Sequence, residues 1–172
     1  MSGMVFSYCG DPLRAIQALR SSVEISPYDF GAWGFLGWPL VATGEAGDLD
    51  ELHVVLERIL KTAPEHPGAA YWLHHRAAAY LCSDELDKAR AYAEQSLGKH
   101  RGLSWAWLTY ANILGHLNDY EAARDAVAET LRLNSSMTVA HYARRLGVMT
   151  IRRATISRRT EGLRAAGLLS DG

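Results

Sequence analysis

The stretch whose reading decides the fold is "LNDYEAARDAVAETLRL", Leu117 to Leu133. It has the spacing of an amphipathic helix, yet it carries alanine at Ala122, Ala123 and Ala126, where a helix would bury large residues. A small side chain at a contact lets a second helix approach closely. If the small residue returns at a fixed interval, the chain is a stack of such contacts. It does return. Ala123 follows Ala89 by 34 residues, and at the same step Tyr120 follows Leu86, Leu114 follows Tyr80, Ala111 follows Ala77 and Leu131 follows Leu97. Each pair matches small with small or large with large.

A period of 34 residues resembles that of the tetratricopeptide repeat (TPR), a pair of antiparallel helices that must stack to bury its apolar face. The resemblance implies an all-α fold, a right-handed superhelix of about three to four helix-turn-helix repeats closed by a C-terminal capping helix. Earlier units fit it with small insertions near Thr43 and between Pro64 and Pro67. "WGFLGWPL" resembles the start of a repeat's first helix, and "GDLDEL" (Gly47–Leu52) the turn into a second. "GDPLRAIQALRSSVEISP" matches a second helix with Ala15 as its close-contact residue, so the first repeat has a shortened first helix. The expected division is repeats over residues 1–134, then capping helices and a basic tail over 135–172.

Local chemistry supports these boundaries. Asp11 before Pro12 is an N-cap followed by proline in the first turn, where a missing N–H costs nothing. Asp48 with Glu51, and Asn118 with Glu121, have capping-box spacing. Pro27, Pro64 and Pro67 follow apolar helical stretches and act as terminators. No segment sustains a period-two alternation, so no sheet is expected.

Composition bounds the function. Hydrophobic residues make up 48% and charged ones 22% of 172, an ordinary globular balance, and the net charge of -1 offers no overall field for nucleic acid or anionic membrane. Cys9 and Cys82 fit no disulfide framework or paired metal motif, and a reducing cytoplasm is the expected home. The start "MSGMVFSYCGDP" lacks the basic front and long apolar middle of a signal peptide. The longest apolar run, "FGAWGFLGWPLVATG", is shorter than the roughly 20 residues of a spanning helix and contains Pro39.

Beyond residue 134 seven arginines face two carboxylates, leaving that segment at +5 and the preceding residues at -6. "SSMTVAHYARRLG" reads as a helix whose Arg145 falls one period after Ala111 and breaks the repeat pattern. "EGLRAAGL", ended by Gly167, resembles the close of TPR domains that follow nucleotide cyclase or winged-helix domains in bacterial regulators. The arginine pairs could hold a nucleic-acid backbone, dock on another copy or solvate the cap. Without interleaved stacking aromatics, nucleic acid is the weakest of these readings.

No catalytic motif is present: no Gly-x-Ser-x-Gly, phosphate loop or His-Glu-x-x-His. His74 and His75 are adjacent, so on a helix they diverge by about 100°. His116 and His141 lack a spaced third ligand, and neither metal nor cofactor is expected. What the resemblance implies instead is a non-catalytic scaffold whose first helices line a concave groove that binds a partner protein or peptide. Carried over residue by residue, the groove would include Trp38, Tyr71, His74, Trp105, Leu108, Asn112, His116 and Tyr142. The positions that clamp carboxylate tails in some TPR domains hold Gly34, Trp38, His75, Trp105 and Thr109, so that clamp is absent. The alternative is a structural homodimer whose face is "FGAWGFLGWPL", with Phe30, Phe35 and Trp38 covered by a second copy. A helix apolar all round must be covered on more than one side.

Overall fold

The computed structural model describes residues 11–26, 29–149 and 153–170. Among these are nine α-helices and no strand: α1 (Pro12–Ile25), α2 (Phe30–Thr43), α3 (Ala46–Thr62), α4 (Ala69–Cys82), α5 (Leu86–Lys99), α6 (Ser104–His116), α7 (Tyr120–Leu133), α8 (Val139–Met149) and α9 (Arg153–Ala165). Three hairpins, α2–α3, α4–α5 and α6–α7, stack in chain order, and α1 packs against α2. The first helices α2, α4 and α6 touch one another in sequence and form one layer of the stack.

Caps and turns set the helix ends. Asp11, Asp29 and Asp119 each sit at an N-cap and accept from the backbone N–H three residues on, at 3.1, 3.0 and 3.4 Å. Two expected capping boxes are corrected here. Asp119 caps α7, while Asn118 stands outside the helix at φ 61°. Helix α3 begins at Ala46, so Asp48 falls inside its first turn; Asp48 and Glu51 both reach Arg20 of α1 instead. Pro27 lies outside the described residues.

The hairpin turns repeat with the sequence. After α4, Asp84 takes the left-handed conformation at φ 63°, with Glu85 N–H donating to Tyr80 O and Asp84 N–H to Leu81 O. After α6, Asn118 does the same, with bonds from Asp119 to Leu114 and from Asn118 to Gly115. This is the Schellman pattern, and the two residues stand 34 apart. Gly44, at φ 63°, holds the corresponding place after α2.

Ala15, Ala89 and Ala123 are fully buried, as the close-contact reading requires. The α2–α3 hairpin closes over Leu36, Leu40, Leu52, Leu56 and Ile59, together with Trp72 of α4. Toward the other end Leu108, Leu114 and Ala123 share a core with Met137, Tyr142, Leu146, Leu163 and Leu168. The last two helices therefore do more than cover an end. Helix α9 lies on the first-helix layer, against α6 and α4, and α8 pairs with α9 and reaches α2. Gly167, at φ 84°, ends α9 with a further Schellman turn, and the carbonyls of Leu169 and Ser170 then accept from Val139 and Ala140 at the start of α8. No described helix is long and apolar enough to cross a membrane.

Candidate functional site

Helices α2, α4 and α8, with the start of α6, surround a cavity of about 620 Å³. Close packing shapes its floor. A Cβ on Gly34 would overlap Trp72 Nε1, so the glycine lets the N–H edge of that indole come up against α2. Trp72 in turn stacks on His66 at 4.7 Å. The wall is aromatic: Phe35 and Trp38 from α2, Tyr71 and Trp72 from α4, Trp105 from α6 and Tyr142 from α8. Phe35 and Tyr71 are about half exposed, at 46% and 48%, and mark the mouth. Arg145 lies over the Trp105 ring at 5.1 Å.

Five of the eight expected groove residues meet here: Trp38, Tyr71, His74, Trp105 and Tyr142. The other three lie elsewhere. Leu108 is fully buried in the core. Asn112 Nδ2 donates to the carbonyl of Arg158 at 3.2 Å, and His116 Nε2 donates to the same oxygen at 2.9 Å. The far half of the first-helix layer is thus occupied by the chain's own α9.

The contact is close because two glycines face each other. A Cβ on Gly115 would overlap the Gly162 carbonyl, and one on Gly162 would overlap that of Asn112. Arg158 then locks the helix sideways. Its Nε donates to Leu81 O at 3.2 Å, its Nη1 to His116 Nδ1 at 3.3 Å, and its Nη2 pairs with Asp84. Arg159 is 1% exposed. The pair, open in the sequence to a nucleic-acid, docking or solvating role, is thus an anchor followed by a buried cation.

Burial governs the electrostatics. Loss of solvation holds His74 well below the ordinary histidine range, with His75 and Arg159 pushing the same way. Desolvation, then the Arg159 charge, takes His75 down to about 4. Burial pushes the Tyr142 hydroxyl up, and Arg159 opposes it. Burial likewise raises the Cys82 thiol, which makes it a poor nucleophile. Of the residues offered for self-association, Phe30 packs edge-on to His66 and is half-buried, Trp38 lies tilted on His75, and Phe35 alone of the three is exposed, by about half. The reading from sequence missed Trp72, His75, Arg145 and Leu146 on the wall. Arg145, one period after Ala111 and out of pattern, was the legible signal.

No family model and no curated protein matches the chain. Among solved structures it is similar to a chain of the "Crystal structure of APC/C hetero-tetramer Cut9-Hcn1", with a TM-score of 0.57 and 21% identity. The match covers 90% of this chain and 28% of that one. The likeness is one of fold, a TPR-type α-solenoid.

Proposed function

We propose that the protein is a non-catalytic interaction module that takes an apolar or aromatic anchor of a partner protein in the cavity between α2, α4 and α8. The observation that carries this is the aromatic cavity itself, open at Phe35 and Tyr71 and beside a groove half that α9 already fills. Tyrosine and tryptophan offer large rigid contact area with a polar tip and dominate interface hot spots. Because α9 blocks the far half, a partner presents an anchor at the mouth and does not thread the length of the groove. In a regulator of the kind its C-terminal segment resembles, the chain would be the docking half.

The test is capture of partners from the source organism with Trp105→Ala, using Val54→Ala on the outer surface of α3 as control. Trp105→Ala is expected to weaken capture by about 2 kcal/mol, roughly thirtyfold. The nucleic-acid alternative is tested with Arg144, Arg153 and Arg164, which face solvent. Loss of capture with those three and tolerance at Trp105 would move the function to the basic segment.

Self-association is the second reading, favoured by the exposed Phe35 within an apolar helix. Sedimentation at micromolar concentration that shows only a 19.0 kDa species removes it.

A further inference from the structure

Behind the cavity wall stands a buried guanidinium that hydrogen-bonds the Tyr142 hydroxyl but keeps two donors unused. Arg159 places Cζ 5.1 Å from the Trp38 ring centroid and 5.6 Å from that of Tyr142, and both rings line the cavity. Among the described residues its Nε and Nη1 have no hydrogen-bond partner. Three more enclosed polar atoms on the same wall also lack partners: Trp38 Nε1, His74 Nδ1 and His75 Nδ1. The lining residues include Arg145 and three histidines but no aspartate or glutamate.

A buried cation with unused donors is unfavourable, and facing aromatic rings offset only part of the cost. A structural arginine is normally met by a carboxylate on a neighbouring element. Here the two rings that face Arg159 line the cavity, and its size falls within the roughly 300–1,000 Å³ usual for small-molecule sites. In a space walled by Phe35, Trp72 and Trp105, a negative charge is attracted to Arg159 far more strongly than in water.

We propose that the cavity binds a small, free aromatic acid, its ring system against Phe35, Trp72 and Trp105 and its anionic group on the Trp38–His75 side, in the field of Arg159. Arg145 at the mouth adds a second positive charge. Because this acid and a partner's anchor share one cavity, it competes with docking. That control rests on the interaction reading above; the binding of the acid does not.

Fluorescence titration of the full chain with two dyes of the same shape tests it: anionic anilinonaphthalenesulfonate and neutral phenylnaphthylamine. One anionic dye per chain is expected, bound roughly tenfold or more tightly than the neutral one. Arg159→Met should abolish that preference and leave the neutral dye unchanged, while Arg159→Lys keeps most of it. Ligand-free Arg159→Met should melt no lower than the wild type, because an apolar residue replaces an unmatched buried charge. Equal binding of the two dyes overturns the proposal, as does anionic-dye affinity that is indifferent to Arg159→Met. A lower melting temperature with both dyes weakened together makes Arg159 purely structural. If Arg159→Met fails to fold, Arg145→Gln decides: a several-fold loss of the anionic dye alone supports the site, and no loss overturns it.

Discussion

Asp84 combines two roles that pull in opposite directions. Its backbone sits at φ 63°, which costs a residue with a Cβ roughly 1–2 kcal/mol relative to glycine. Its carboxylate pairs with Arg158 but is 72% exposed, and such a pair contributes about 0–1 kcal/mol. The backbone effect is the larger. Asp84→Gly is therefore expected to leave the melting temperature unchanged or raise it, and Asp84→Ala to lower stability by about 1 kcal/mol. A greater loss in the glycine variant would show that the ion pair dominates. His75 supplies a pH dependence. Its folded pKa of about 4 lies below the ordinary 6.5, so between those values the unfolded chain binds more protons. Stability is complete above about pH 6.5 and falls as pH drops toward 4. His74, depressed by the same burial and the same Arg159 charge, adds to the slope. Melting curves from pH 7 to 4.5 should show this fall, and His75→Gln should make it shallower, leaving the part His74 contributes.

At the scale of elements, two glycines that look alike in the sequence differ in sign. Gly162 lets α9 lie on α6, and a Cβ there meets the Asn112 backbone, which cannot rotate away. Gly162→Ala should cost about 1–3 kcal/mol, with amide protection lost first in α9. Gly98, near the end of α5, has nothing within 4 Å of an added Cβ. Gly98→Ala should stabilise by about 0.4–1 kcal/mol, through the lower entropy of the unfolded chain. Thermal unfolding of the pair checks both signs. Helix boundaries follow from local chemistry, so the caps at Asp11 and Asp119 and the turns at Asp84 and Asn118 recur with the sequence. The contact of α9 with α6 does not. Asn112 and Arg158, which bond across it, are 46 residues apart.

For the whole molecule, α8 and α9 belong to the same core as α6 and α7. In a simple stack each unit contacts mainly its neighbours, and removing the last one costs one interface. Here the last two helices also fold back along the first-helix layer to α4 and α2. Truncation after residue 134 should lower the melting temperature well beyond the loss of one interface. It should also produce association, since Leu108, Asn112 and Leu114 lose cover and a large apolar patch opens. Calorimetry and sedimentation of the truncated chain check this. An unchanged melting temperature in a monomer would reduce α8 and α9 to decoration.

The sequence by itself determined the helical repeat. Alanine returning at 34 residues, aspartate at the caps and an αL residue in each hairpin turn are instructions read within a few residues or between adjacent units. The resemblance to the repeat family also implied a shared groove for Trp38, Tyr71, His74, Trp105 and Tyr142, and these five line the cavity. Only the tertiary structure decided that α9 would fill half of that side, converting Asn112 and His116 from open groove to helix contacts. Arg158 and Arg159 look alike as a charged pair in the chain. Side chains of adjacent helical residues diverge by about 100°, so once Gly115 and Gly162 bring the two backbones together, Arg158 reaches Asp84 while Arg159 is carried inside.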